Sequence, residues 1–193
     1  MVRLILVRHA ATAWTAQGRF QGQRDVPLSP YGRRQVAALA LRLRTETLHL
    51  LYASDLRRAW ETAEAVAAPR ELDVVRLPEL REVDVGSWSG FTRDECAERF
   101  PDAFVRWQGG GTGWEDGESY EEMGERIVAA IQRLAAQHPE DAILVVSHGG
   151  PIRAVHAHAL GVDIATHRRA GPVEPNARLS SVSVEDGRIA RIE

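Results

Sequence analysis

The chain has 193 residues, 44% of them hydrophobic and 26% charged, which is typical of a globular protein and predicts a single domain over residues 1–193. The formal net charge of −3 excludes a general attraction to nucleic acid or anionic membranes, and the absence of lysine excludes chemistry that depends on a lysine amine. No segment holds the roughly 18 consecutive apolar residues of a membrane span. The amino terminus does not resemble a signal peptide, so we expect a cytoplasmic protein.

The first predicted element is a strand, Val2–Val7, in which apolar residues dominate. Such a run is typical of a strand buried on both faces of a sheet. It ends at Arg8 and His9, and in open α/β sheets ligands bind outside the carboxyl ends of the strands. The sequence therefore predicts that this pair lies at the mouth of a crevice, followed by a polar loop that contains Thr15 and Gln21.

A second predicted strand, Leu48–Ala53, leads into Ser54 and Asp55, where we expect the cap of the next helix. That helix carries Arg57 and Arg58 in its first turn. Basic residues there oppose the helix dipole unless an anion is bound nearby. The pair therefore indicates a phosphate site, with solvated surface arginines as the alternative.

A third predicted strand, Leu72–Val75, precedes an irregular stretch, residues 78–90, that contains Glu79, Glu82 and Asp84. A carboxylic acid held in a cleft is a natural proton donor to a leaving group. The spacing of these acids does not choose among the three.

The next segments carry aromatic residues and the one cysteine of the chain. Cys96 falls in a predicted helix, residues 92–99, with no base beside it in the sequence, which favours an inert thiol. Residues 101–117 are predicted to be the least regular part of the chain. With Phe104, Trp107 and Trp114 flanking its glycines, this segment is interpreted either as a flexible flap over a site or as a surface loop.

A fourth predicted strand, Ala142–Val146, repeats the opening pattern, because it also leads to a histidine, His148. Gly149 and the glycine after it start a helix and allow backbone N–H groups to approach an anion closely. His156 lies on the apolar face of that helix and is interpreted as a core histidine. Residues 161–177 are predicted to form a loop with His167, Arg168 and Arg169 in solvent, before a terminal antiparallel hairpin.

Strands that alternate with helices indicate an α/β sandwich. Its sheet edge would gather Arg8, His9, Arg58 and His148. Two arginines can neutralise a phosphoryl group, and a histidine can attack it to form a covalent intermediate. No metal-binding motif is present in the sequence, so no metal and no cofactor are expected.

The sequence resembles the histidine phosphatase superfamily, the phosphoglycerate-mutase-like phosphatases, from Leu4 to about Gly161. The resemblance rests on short blocks that follow one another in the order of the family. The blocks are Arg8-His9-Ala10, Gly18-Arg19-Phe20-Gln21-Gly22, Leu28-Ser29-Pro30-Tyr31-Gly32, Ser54 through Ala63, Leu80-Arg81-Glu82 through Gly86, Gly117-Glu118-Ser119 and Val146-Ser147-His148-Gly149.

The resemblance implies a three-layer α/β/α sandwich around a mostly parallel central sheet with an antiparallel edge. It implies that His9 is the nucleophile and that Glu82 is the acid and base. Ala10, Ala11 and Thr15 depart from the glycine, glutamate and asparagine that are common in the family. The residues that the resemblance places around the phosphoryl group are Arg8, Thr15, Gln21, Arg58, His148 and Gly149.

The region between the Glu82 block and Ser119 is short compared with phosphoglycerate mutases, which favours a phosphatase. The predicted function is metal-independent hydrolysis of small phosphorylated metabolites through a phosphohistidine. A phosphoglycerate mutase and a non-catalytic phospholigand-binding module are the alternatives. The expected partner is a small-molecule phosphomonoester, without nucleic acid or membrane, and a homodimer is left open.

Overall fold

A computed structural model describes residues 1–192, which form six strands and eight α-helices. The strands are β1 (Val2–Arg8), β2 (Leu50–Ala53), β3 (Val74–Arg76), β4 (Ala142–Ser147), β5 (Leu179–Glu185) and β6 (Arg188–Arg191). The helices are α1 (Ala13–Ala16), α2 (Pro30–Leu43), α3 (Arg57–Ala67), α4 (Arg93–Arg99), α5 (Pro101–Gln108), α6 (Tyr120–Gln137), α7 (Gly149–Leu160) and α8 (Ile164–Ala170). Within this range no helix is long and apolar enough to cross a membrane.

The strands form one sheet in the order β3-β2-β4-β1-β5-β6. The first four strands of this order are parallel, while β5 pairs antiparallel with β1 and β6 antiparallel with β5. This confirms the predicted mostly parallel sheet with an antiparallel edge. Both β2 and β3 begin two residues later than the sequence predicts.

Alternate side chains of β1 enter two separate parts of the core. Leu4 and Leu6 pack in a cluster with apolar residues of α6 and α7. Ile5 and Val7 point to the other face and pack with residues of α2 and α3. Because successive side chains of a strand point to opposite faces, the sheet is covered on both sides and the fold has three layers.

Two segments that the sequence predicts to be irregular contain helices instead. In residues 101–117, helix α5 begins at Pro101, a residue that suits the first helical position because its missing N–H would be unpaired there. In residues 161–177, helix α8 is capped by Asp163, whose carboxylate accepts a hydrogen bond from the Thr166 N–H at 2.7 Å. Both loop predictions were therefore wrong where these helices lie.

The cap predicted for α3 was also wrong. Leu56 is the residue before the helix, and its side chain makes no capping bond. The N–H of Arg57 instead donates to the carboxylate of Asp25 at 2.7 Å. Asp55 is drawn away from the helix because it accepts two hydrogen bonds from Arg81, at 2.5 and 2.7 Å. This pair joins the start of α3 to the stretch that carries Glu82.

Candidate active site

The carboxyl ends of β1 and β4 lie at a cavity of about 530 Å³. Arg8 and His9 come from the end of β1, Arg58 from the first turn of α3 and Glu82 from the irregular stretch, and all four line this cavity. His148 follows β4, with its ring centroid 5.0 Å from that of His9. The topology thus brings together the five residues proposed from the sequence as catalytic.

The imidazole of His9 is buried and held in one orientation. Its Nδ1 lies 2.8 Å from the carbonyl oxygen of Ala10, which can only accept, so Nδ1 carries the proton. Nε2 is therefore an acceptor, and the Nε of Arg58 donates to it at 3.3 Å. Burial, followed by the charges of Arg58 and Arg8, holds the pKa of His9 well below its usual range. The ring is therefore neutral at pH 7, with its lone pair on Nε2.

Arg58 is a fully buried cation whose position is set by the loop that precedes α2. Its two Nη atoms each donate to a backbone carbonyl at 2.7 Å, those of Arg24 and Gly22. Burial lowers its pKa to about 10, although the charge of Glu82 acts in the opposite direction. Arg58 therefore remains charged at pH 7 and supplies a fixed positive charge beside His9.

Arg8 and His148 have buried polar atoms without a protein partner. One Nη of Arg8 donates to the carbonyl of Glu174 at 2.6 Å. The Nε of Arg8 and both ring nitrogens of His148 have no hydrogen-bond partner among residues 1–192. Leaving such atoms unpaired in the interior costs free energy. A ligand with several oxygen atoms would satisfy them, which favours an anion such as a phosphoryl group.

Glu79, Glu82 and Asp84 have different surroundings, although the sequence alone did not choose among them. The carboxylate of Glu82 lines the cavity and accepts the backbone N–H of Gly150, with its two oxygens at 3.2 and 3.3 Å. Glu79 pairs with Arg133 at 2.9 Å on the surface. Asp84 accepts a backbone N–H in its own turn and does not line this cavity. Of the three, Glu82 is the one placed to exchange a proton with a bound ligand.

The amino end of α7 forms part of the cavity wall through Gly149 and Gly150. A Cβ atom on Gly150 would collide with the carboxylate of Glu82, and one on Gly149 would collide with Val173. A side chain at either position would therefore displace Val173 or Glu82 from its place in the cavity wall. The N–H of Gly150 already donates to Glu82, so the attraction of this helix start for a phosphoryl group comes from its other N–H groups.

Gln21 lines the cavity, whereas Thr15 does not. The Thr15 hydroxyl accepts a hydrogen bond from the side-chain amide of Gln21 at 3.2 Å. Thr12 donates to the amide oxygen of Gln21 at 2.9 Å. Thr15 therefore orients Gln21, and its direct contact with a substrate stays a prediction.

Some arginines that line the cavity were not predicted from the sequence as part of the site. Arg168 was predicted to lie in solvent, but it lines the cavity with its guanidinium 3.7 Å from the ring centroid of Tyr120. Arg153, also on the wall, was not identified from the sequence. Its position four residues after Gly149, on the same face of one helix, was the signal available. Trp107 of α5 also lines the cavity, so the segment after residue 100 contributes to the site.

Two further sequence interpretations are confirmed in the core. Cys96 is fully buried, and burial raises its pKa to about 11, as expected for an inert thiol. His156 is 1% exposed and its Nε2 lies 3.0 Å from the hydroxyl oxygen of Ser180. Neither side chain takes part in the site.

Comparison with known proteins agrees with this arrangement. A family model described as "Histidine phosphatase superfamily (branch 1)" matches residues 4–192. Phosphoserine phosphatase 1 from Hydrogenobacter thermophilus is 35% identical over 190 residues, which cover 97% of this chain and 89% of that protein. Metal-independent phosphoserine phosphatase from Arabidopsis thaliana is 35% identical over 161 residues, which cover 81% of this chain and 68% of that protein.

Solved structures show the same fold. The structure of mycobacterial glucosyl-3-phosphoglycerate phosphatase with VO3 has a TM-score of 0.88 and 32% identity, over 98% of this chain and 96% of that chain. Bacillus stearothermophilus YhfR has a TM-score of 0.91 and 29% identity, over 99% of this chain and 95% of that chain. From the family match, the relatives and the fold together, the chain belongs to the histidine phosphatase superfamily and is a phosphatase of that superfamily.

Proposed function

We propose that the chain is a metal-independent phosphomonoester hydrolase that acts on small phosphorylated metabolites through a phosphohistidine at His9. The observation that carries the proposal is the state of the His9 ring. Its Nδ1 proton is held by Ala10, its lowered pKa keeps it neutral, and its Nε2 lies beside the charge of Arg58. A neutral imidazole with an oriented lone pair is a competent nucleophile.

In the first step, the Nε2 lone pair of His9 attacks phosphorus and forms a P–N bond. The P–O bond to the alcohol breaks, and its electron pair goes to the departing oxygen, which takes a proton from the carboxyl group of Glu82. Arg8 and Arg58 neutralise the charge spread over the phosphoryl oxygens. Positioning and charge stabilisation are the main requirements of phosphoryl transfer.

In the second step, a water molecule attacks the phosphohistidine. The carboxylate of Glu82 accepts a proton from this water as its oxygen bonds to phosphorus. The P–N bond breaks, its electron pair returns to Nε2 of His9, and inorganic phosphate leaves. Glu82 is then protonated and ready for the next substrate, so one group serves as acid and then as base.

Metal independence follows in this proposal from the source of the positive charge. Arg8 and Arg58 supply two cations at the phosphoryl position. In the described part of the chain, no group of three or more His, Cys, Asp and Glu side chains is arranged to hold a metal ion. The printed name of the Arabidopsis relative, a metal-independent phosphoserine phosphatase, also supports the proposal.

The test measures phosphate release in EDTA from phosphoserine, sugar phosphates, nucleoside monophosphates, 3-phosphoglycerate and p-nitrophenyl phosphate. We expect the unmodified chain to release phosphate and His9→Ala to lose nearly all turnover, by about 1,000-fold or more, because the nucleophile is absent. His158→Ala is the matched control, since His158 is exposed on α7. It should retain the original rate.

A second measurement identifies the intermediate. Rapid acid-free quenching during turnover of a 32P-labelled substrate should trap label on the protein that is stable to alkali and labile to acid. Full turnover by His9→Ala, or activity that disappears in EDTA, would contradict the proposal. Transfer of phosphate between positions of 3-phosphoglycerate without release would favour the mutase alternative.

A further inference from the structure

Beyond the phosphoryl site, the wall of the cavity is strongly basic. In the described part of the chain, Glu82 is its one acidic residue. Besides Arg8 and Arg58, five arginines of the described chain line this wall. One of them, Arg19, pairs with the carboxylate of Glu95 at 2.9 Å. The other arginines on the wall, which form no ion pair among residues 1–192, are Arg93, Arg153, Arg168 and Arg169.

Arg153 is placed near the phosphoryl site by the helix that carries it. It follows Gly149 by four residues and Gly150 by three, so these residues share one face of α7. The rise between Gly149 and Arg153 is about 6 Å along the helix axis. One Nη of Arg153 donates to the carbonyl of Gly171 at 2.9 Å, and residues 1–192 offer its other N–H groups no acceptor. Arg153 is thus a half-buried cation with N–H groups that can still donate to a ligand.

Arg168 approaches the same region from α8, and its position is fixed. Its guanidinium lies over the ring of Tyr120 and donates to the backbone carbonyls of Gly110 and Gly111. The pKa of Arg153 is lowered by burial first, and next by the positive charge of Arg168. Because the charge of Arg168 acts unfavourably on that of Arg153, an anion bound beside both cations would stabilise them.

We infer that Arg153, with Arg168 near it, binds a second anionic group of the substrate. The inference rests on the proposed function, because the phosphoryl group at His9 fixes the other end of the molecule. The substrate class is therefore a small phosphomonoester that carries a carboxylate or a second phosphoryl group a few bonds from the ester oxygen. Both groups match the forked donors of arginine.

The test compares substrates in matched pairs that differ by one anion. Phosphoserine and phosphoethanolamine differ by a carboxylate, and propane-1,3-diol bisphosphate and 3-hydroxypropyl phosphate differ by a phosphoryl group. The readout is the selectivity, defined as kcat/KM for the member with the second anion divided by kcat/KM for its partner. We expect Arg153→Gln to lower the selectivity about 10- to 100-fold, the value of a charged hydrogen bond.

Arg42→Gln is the matched control, because it removes one arginine charge from the exposed surface of α2. It should leave the selectivity unchanged, so a loss confined to Arg153→Gln supports the inference. A loss in the first pair identifies the second anion as a carboxylate, and a loss in the second pair identifies a phosphoryl group. Equal selectivity in Arg153→Gln and the unmodified chain overturns the inference, as does an unmodified chain that prefers neither anionic member.

Two outcomes separate this inference from the proposed function. Full turnover by His9→Ala contradicts the proposed function, whereas an unchanged selectivity in Arg153→Gln contradicts only the inference of a second anion site. If Arg153→Gln loses turnover of every substrate, Arg153→Lys decides, because lysine keeps the charge. If the selectivity of Arg153→Lys lies above unity but below that of the unmodified chain, the inference is supported. If Arg153→Lys is folded and active but its selectivity is near unity, the inference is overturned.

Discussion

At the scale of single residues, Glu82 differs from its neighbours in sequence by what its carboxylate contacts. It accepts the N–H of Gly150 at the start of α7 and lines the cavity, whereas Glu79 is paired with Arg133 on the surface. Charge and spacing are alike for these acids. Their chemistry differs because one faces the phosphoryl site and the other is paired at the surface.

Glu82 should matter most for substrates whose leaving group needs a proton. Glu82→Gln should lower kcat for phosphoserine by about 100-fold or more, because the departing alkoxide has no proton donor. The loss for p-nitrophenyl phosphate should be much smaller, since p-nitrophenolate leaves without a proton. Glu79→Gln is the control and should change neither rate by more than about two-fold, as for other exposed ion pairs. Equal losses on both substrates would show that Glu82 has another role.

At the scale of elements, Arg126 connects α6 to the stretch that carries Glu82. One Nη donates to the backbone carbonyls of Glu79 and Arg81, at 2.7 and 3.1 Å. Its Nε and other Nη each donate to the carboxylate of Glu118 at 2.7 Å. Because these bonds go to the backbone on both sides of Leu80, the helix sets where the Glu82 side chain begins.

We expect Arg126→Gln to act on the position of Glu82 without any contact with substrate. A small displacement of a reacting group can cost a large factor, so kcat should fall about 10-fold or more while KM changes little. The free energy of unfolding should fall by about 1–3 kcal/mol, because Arg126 bonds to a carboxylate and to backbone carbonyls that are partly buried. Urea titration and steady-state kinetics measure these two effects.

Arg133→Gln is the matched control for this prediction, since it lies on the same helix and its bond goes to the exposed side chain of Glu79. Its free energy of unfolding should change by no more than about 1 kcal/mol, and its kcat should be unchanged. For Arg126→Gln, a rise in KM by the same factor as the fall in kcat would contradict a positioning role.

At the scale of the whole molecule, burial makes the stability depend on pH through histidine. Burial, as the largest cause, lowers the pKa values of His9, His148 and His156, and that of His156 falls to about 4. These rings are neutral in the folded chain, whereas the unfolded chain protonates them near the ordinary value of about 6.5. The unfolded state therefore binds more protons below that pH. This contribution to stability is present above about pH 6.5 and is lost progressively as the pH falls from there towards the lowered pKa values of the folded chain.

The free energy of unfolding should therefore decrease between pH 7.5 and pH 5, with about 2 kcal/mol of the loss at pH 5 due to His156. Urea unfolding of His156→Gln at both pH values should show a smaller decrease than the unmodified chain. His158→Gln, which changes an exposed ring on the same helix, should keep the full decrease. The same decrease in His156→Gln and His158→Gln would contradict this account.

Features that depend on residues close together in the sequence were predicted without the structure. The run before Arg8 and the run before His148 form central strands because apolar residues dominate each, and both strands end at the cavity. The α/β class follows from the alternation of strands and helices, whereas the order of the strands is known from the tertiary structure. The resemblance to the histidine phosphatase superfamily, confirmed by the family match, added the choice of Glu82, which spacing left open.

The tertiary structure decided which side chains meet across long distances in the chain. Periodicity does not show that Arg153 and Arg168 share a wall with His9, that Asp25 caps α3, or that Thr15 contacts Gln21 instead of the cavity. A local pattern reports which face of an element is buried, whereas the direction of a polar side chain depends on partners brought near by folding. The sequence by itself therefore determined the sheet and the chemical types at its edge, and the packing of α7 and α8 determined the second charged wall of the cavity.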